Sequence, residues 1–136
     1  MNEPKPYVLL IDDDEDDLEM FSSGLEKRGI KVKTFESSTK ALFYLTLMTG
    51  IRELPSLIIL DYNMPKINGQ QVLLLIKGDP DTKDIPVVMY STSMRDTLKT
   101  KLLEAGALAS FDKPWTQQEF NSQVEVFEKL SSSFIK

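Results

Sequence analysis

The chain of 136 residues contains no cysteine and no histidine. Without cysteine there are no disulfides, no thiolate metal ligands and no thiol nucleophile. Without histidine, Ser-His-Asp and Cys-His catalysis are excluded, and so is any imidazole metal ligand. If the chain handles phosphate through a histidine, that histidine belongs to a partner. Bases are also short: 16 Lys and Arg stand against 21 Asp and Glu, a formal net charge of −5. That balance argues against a general affinity for nucleic acid phosphates. No apolar run is long enough to span a bilayer, and the opening MNEPKP is no signal peptide. A cytoplasmic location with no membrane partner is therefore expected. The hydrophobic share of 41% is that of a globular domain, and the length suits one domain with a real core.

What is present is a regular alternation of two patterns. Tyr7 to Ile11 is a short apolar run that reads as a buried strand, and six acids, Asp12 to Asp17, follow it without a break. Leu18, Phe21 and Leu25 then recur at helical spacing, and Gly29 ends that helix. Ile30 to Phe35 alternates as a strand with one wetter face. Ser37 or Ser38 caps a second helix with Ala41, Leu42, Leu45 and Met48 inward. Phe43, Tyr44 and Leu47, off that face, are either the core of a wide stripe or an exposed contact patch, and core is the expected reading.

Leu57 to Leu60 runs straight into Asp61, and Pro65 ends regular structure soon after. A third helix carries Val72, Leu73, Leu75 and Ile76. Ile85 to Tyr90 is a fourth strand that empties into Ser91-Thr92-Ser93. A fourth helix spans Met94 to Ala105. Ala107 to Phe111 is a fifth strand leading into Asp112-Lys113-Pro114. Thr116 and Glu119 form a capping box for a last helix with Phe120, Val124, Phe127 and Leu130. Five strand–helix alternations predict an α/β doubly wound parallel sheet. The expected strand order is the flavodoxin-like 2-1-3-4-5. The expectation is one domain over residues 1–136, with its core at about 6–130, a tail at 131–136 and no output domain.

That order brings the ends of strands 1, 3, 4 and 5 to one rim, and with them Asp12, Asp13, Asp61, Ser91 and Lys113. Crowded carboxylates repel, and a cation relieves the cost. Oxygen ligands without His or Cys suit a hard ion such as Mg2+. A lysine point charge and a hydroxyl beside an aspartate nucleophile are what in-line phosphoryl transfer to a carboxylate requires. Each part alone has an ordinary explanation, as a helix cap, a turn or a solvated face. Their joint occurrence at the correct strand ends is harder to obtain by chance.

On the motifs LLIDDD, LIILDYNMP, PVVMYSTS and FDKPW, the chain resembles the receiver domain of a two-component response regulator over nearly its whole length. The resemblance implies that Asp61 is the phosphoacceptor and that Asp12 and Asp13 form the acidic pocket, with Asp13 the more direct Mg2+ ligand. It further implies that Asn63 lends a backbone carbonyl to the metal, that Ser91 is the switch hydroxyl and that Lys113 binds phosphate. A cis Lys113–Pro114 peptide is also common in that family. Two departures stand out. Ser110 occupies the place of the usual switch aromatic, with Phe111 one residue later, and Thr92 follows the hydroxyl where a smaller residue is usual. Thr92-Ser93 and the acid-rich first loop resemble stand-alone receivers of the cyanobacterial-phytochrome type, and Asn63 and Ser93 occupy positions that tune phosphoryl lifetime in the family.

The implied partners are a histidine kinase or a histidine phosphotransfer protein. Output would pass to a downstream protein, or to a second copy, through the face of helix 4, strand 5 and helix 5. The implied activity is self-phosphorylation and autodephosphorylation rather than turnover as an enzyme. One alternative is a pseudo-receiver that binds partners without phosphorylation. Another is a Mg2+ phosphatase of the haloacid dehalogenase class, against which Asn63 counts, because that class places a second aspartate there.

Overall fold

Each strand run ends where its last apolar residue meets a polar one, and this sets the architecture. In the computed structural model, which describes residues 6–92 and 94–133, the strands are β1 (Tyr7–Ile11), β2 (Lys31–Phe35), β3 (Leu57–Asp61), β4 (Val87–Ser91) and β5 (Ala109–Asp112). The helices are α1 (Glu15–Glu26), α2 (Ser38–Ile51), α3 (Gly69–Gly78), α4 (Asp96–Glu104) and α5 (Gln117–Ser133). The sheet is parallel throughout, in the order β2-β1-β3-β4-β5. This is the flavodoxin-like (βα)5 fold expected from the alternation. Among the described residues, no helix is long and apolar enough to cross a membrane.

Alternation along the strands divides the core in two. Leu9, Ile11, Ile58, Leu60, Val87 and Met89 face one side, where they meet Ala41 and Leu45 of α2, Val72, Leu73 and Ile76 of α3 and Leu102 of α4. Val8, Leu10, Ile59, Val88 and Tyr90 face the other, against Leu18, Phe21 and Leu25 of α1 and Val124 and Phe127 of α5. β3 is buried along its whole length, as a central parallel strand must be. β2 lies at the edge and is the wettest strand, with Lys31 and Lys33 exposed, a composition that discourages pairing with another chain.

Local chemistry explains the element ends. The Asp14 carboxylate caps α1 by accepting from the N–H groups of Asp16 and Asp17. Ser37, rather than Ser38, caps α2. Asn68 and Gln71 form a reciprocal capping box on α3. At α5, Thr116 accepts from the Glu119 N–H, while the Glu119 carboxylate takes the Thr116 hydroxyl proton instead of its backbone N–H, so half of the expected box forms. α5 continues to Ser133, past the expected start of the tail.

The second helix departs from expectation. Phe43 and Leu47 are 59% and 53% exposed, not core. At about 100° per residue, Phe43 and Leu47 lie on the side opposite Ala41 and Leu45, which cover the sheet. Tyr44 alone of the three turns partly inward, tilted against Phe35 at 5.0 Å between ring centres.

Gly69 opens α3 directly against the end of β3. A Cβ there would lie 2.6 Å from the Asp61 carbonyl oxygen and 2.6 Å from the Tyr62 Cα. Backbone on both sides leaves nothing flexible to yield, so Gly69→Ala should destabilise the domain by about 1–3 kcal/mol. A urea midpoint equal to that of the unsubstituted chain would refute this.

Candidate functional site

The sheet order delivers four strand ends to one rim, and alternation decides which side chains meet there. Asp12 follows Ile11, and Asp61 follows Leu60, so both carboxylates lie on the α1/α5 side with Tyr90. On β5, Phe111 faces that side and Asp112 the other, which returns Lys113 toward Asp12 and Asp61. Ser91, next to Tyr90, falls on the α4 side. The pairing of Asp61 with Tyr90 and of Ser91 with Asp112 fixes these positions, and the Lys113 N–H donates to the Ser91 carbonyl at 2.8 Å.

The result is a buried, negatively charged cluster. Asp12, Asp13 and Asp61 each offer a carboxylate oxygen within 4.8 Å of the others. Asp61 is 1% exposed; its Oδ1 accepts from the Asn63 N–H at 3.1 Å. Asp12 is fully buried, and both of its oxygens are engaged: Oδ1 accepts from the Asp14 N–H at 2.9 Å, and Oδ2 from the Tyr90 hydroxyl. Asp13 is exposed. Lys113 Nζ lies 2.7 Å from Asp17 Oδ2, 3.6 Å from Asp12 Oδ2 and 3.7 Å from Asp61 Oδ2. On the other side of the sheet, the Asn63 side-chain amide donates to Ser91 Oγ at 2.8 Å.

The electrostatics follow from burial and crowding. Desolvation, then the charge of Asp12, pushes the Asp61 carboxyl up to about 7, against the pull of Lys113 and the Asn63 N–H. Burial also raises Asp12, although the Tyr90 hydroxyl, the Asp14 N–H and Lys113 oppose it. Burial lowers the Lys113 ammonium, but the Asp17 hydrogen bond and the charges of Asp61 and Asp12 outweigh it, so the net shift is upward. A site in which burial and crowding work against ionised acids is suited to a divalent cation. Its all-oxygen donors fit Mg2+ or Mn2+.

Asp12, Asp13, Asp61 and Lys113 therefore converge, and Ser91, on the other side of the sheet, joins them at the rim through Asn63. Two more belong to the same arrangement. Tyr90 reaches across β3 from β4 to Asp12 just beyond β1, and its ring centre lies 5.3 Å from Lys113 Nζ. Asp17 holds the hydrogen bond to Lys113. A polar-tipped aromatic one residue before Ser91, on the face shared with Asp61, was the available signal for Tyr90. For Asp17 the acid run offered nothing to separate it from its neighbours.

One implication of the resemblance does not hold, and one open question is answered. The Lys113–Pro114 peptide is trans, the form an X-Pro bond favours by about 0.5–1 kcal/mol. Phe111 does not replace the missing switch aromatic. The β4–β5 register is unbroken through Ser110 and Phe111, so Phe111 points to the α1/α5 side. There it meets Phe127 edge-on at 5.5 Å. Thr92 is exposed, and Ser93 lies outside the described residues.

The model of the family described as the response regulator receiver domain matches residues 8–125. The chain is 35% identical over 112 residues to the two-component response regulator ORR3 of Oryza sativa, covering 82% of each chain. It is 31% identical over 126 residues to the transcriptional regulatory protein CpxR homolog of Haemophilus influenzae, covering 93% of this chain and 52% of that one. Among solved structures, the phosphorylated cyanobacterial phytochrome response regulator RcpA superposes with a TM-score of 0.84 at 27% identity, covering 96% of both chains. The Mn2+-bound form of response regulator Rcp1 superposes with a TM-score of 0.83 at 24% identity, covering 97% of this chain and 98% of that one, a likeness of fold. The chain belongs to the response regulator receiver domain family.

The raised Asp61 makes a testable statement about stability. Between the ordinary carboxyl value of 3.8 and about 7, the folded chain retains a proton at Asp61 that the unfolded chain has lost. Stability therefore falls as pH rises through this window in metal-free solution. Urea unfolding across pH 4–8 should show that decline, and Asp61→Asn should flatten it. An unchanged slope in the variant would contradict the assignment.

Proposed function

We propose that Asp61 accepts a phosphoryl group from the phosphohistidine of a histidine kinase or histidine phosphotransfer protein. The observation that carries this is the buried Asp61 carboxylate set between an acidic pair, a lysine and a hydroxyl at one sheet rim. In the transfer, the bond from phosphorus to the partner's imidazole nitrogen breaks, and a bond from phosphorus to an Asp61 carboxylate oxygen forms. The imidazole leaves with the bonding electron pair and takes up a proton from solvent. The chain's own chemistry is this acceptance and the later hydrolysis, not turnover of a separate substrate.

Asp13, Asp61 and the Asn63 carbonyl would hold Mg2+ directly. Asp12, whose oxygens already accept from Asp14 and Tyr90, would act as a charge in the pocket. Bound Mg2+ supplies positive charge to the phosphoryl oxygens. Lys113 neutralises a further oxygen, and Ser91 leaves the Asn63 amide to donate to another. Support for this reading comes from the relatives solved as phosphorylated RcpA and Mn2+-bound Rcp1. The Asn63 amide, a donor to Ser91, is no acid–base group, and this weighs against the phosphatase alternative.

Phosphorylation replaces about one negative charge by about two at this rim. The outward route we favour is the face of α4, β5 and α5, where Leu103, Leu108 and Trp115 stand exposed. A downstream protein or a second copy would bind there.

The experiment is phosphorylation by acetyl phosphate in Mg2+, read by intact mass. One phosphoryl group should add to the unsubstituted chain, none should add to Asp61→Asn, and the adduct should be lost with chelator present. A chain that gains no mass, and whose melting temperature is unmoved by Mg2+, is instead a pseudo-receiver.

A further inference from the structure

Lys113 serves the proposed phosphoryl group, yet its hydrogen bond goes elsewhere. The ammonium sits 2.7 Å from Asp17 Oδ2, while Asp12 and Asp61 lie at 3.6 and 3.7 Å, beyond hydrogen-bond reach. Asp17 is the third residue of α1, and both it and Lys113 have side chains 20% exposed. The Tyr90 ring lies against the same ammonium. The lysine is thus held by a carboxylate that belongs to none of the metal-competent acids.

We infer that Asp17 is a positioning residue that holds the Lys113 ammonium off Asp61 in the unphosphorylated chain, so that an incoming phosphoryl group must compete with Asp17 for this lysine. The inference rests on the acceptor reading above and adds to it a resting partner for the lysine. Its consequence is an opposition of signs. Removing the Asp17 charge frees Lys113 and makes the site less negative, which favours a bound anion. The same change makes the site a weaker trap for a cation. A purely structural defect in α1 would weaken both.

The neighbouring Asp16 supplies the control. It shares the first turn of α1 and the same charge, but its carboxylate makes no contact with Lys113 among the described pairs. Asp16→Asn therefore removes the same unit of charge and the same helix-dipole contribution without releasing the lysine. Beryllofluoride in saturating Mg2+ is the probe, with affinity measured on the full chain by 19F NMR, and Mg2+ alone is titrated by calorimetry.

Asp17→Asn should bind beryllofluoride roughly three- to tenfold more tightly than the unsubstituted chain, the range for losing a part-exposed charged hydrogen bond. Asp16→Asn should stay within about twofold of it, and neither variant should bind Mg2+ more tightly. Asp17→Ser gives the same ordering should the asparagine variant fold poorly. Equal or weaker beryllofluoride binding by the Asp17 variants, or an equal gain in Asp16→Asn, overturns the inference while leaving Asp61 as acceptor. Absence of binding by the unsubstituted chain overturns the acceptor reading, and this inference falls with it.

Discussion

The site is governed by a deficit of positive charge. Asp12 and Asp61 are buried side by side, Asp13 stands at their mouth, and Lys113 is the cation at ion-pair distance from the two buried acids. Even that lysine spends its hydrogen bond on a fourth acid, Asp17. Burial removes the solvent that would otherwise stabilise these charges, so both buried carboxyls are pushed upward. Everything around the rim reduces this strain in part. The Tyr90 hydroxyl and the Asp14 N–H donate to Asp12, and the Asn63 N–H donates to Asp61. The remaining deficit is what a divalent cation would fill.

Much of this was legible in the chain because the fold depends on period and punctuation. Each strand is a short apolar run, each helix an apolar stripe with a cap, and the sheet order follows from alternating parallel connections. Asp61 could be placed at a rim because the four apolar residues Leu57 to Leu60, with Pro65 soon after, suit a buried strand that ends there. Parity then accounts for most of the site. A side chain two residues along a strand returns to the same face, which gathers Asp12, Asp61, Tyr90 and Lys113 and sends Ser91 to the other side.

What sequence did not reveal depends on distances between elements. The reach of Tyr90 to Asp12 crosses an intervening strand, a gap that strand spacing of about 4.8 Å makes bridgeable only for a long side chain. The pairing of Lys113 with Asp17 depends on how α1 packs over β1 and against α5, which no local pattern encodes. Exposure of Phe43 and Leu47 has a related cause. Both are good core residues by composition, but α2 turns Ala41 and Leu45 to the sheet, and the helical rotation leaves the larger side chains outside.

The same geometry constrains how a charge change can leave the site. Lys113 and Ser91 answer Asp61 from opposite faces of the sheet, and the backbone bond from the Lys113 N–H to the Ser91 carbonyl ties their strands together. Beyond Ser91, the next link does not run through an aromatic ring, since Phe111 is committed to Phe127 on the α1/α5 side. Asp112 pairs with Ser91 in the sheet register and faces α4. Its carboxylate accepts from the Met94 N–H in the loop before α4 and lies 3.7 Å from Lys99 on α4. The contacts that join the Ser91 side of the rim to α4 are therefore polar ones made by Asp112, on the face that Phe111 does not share.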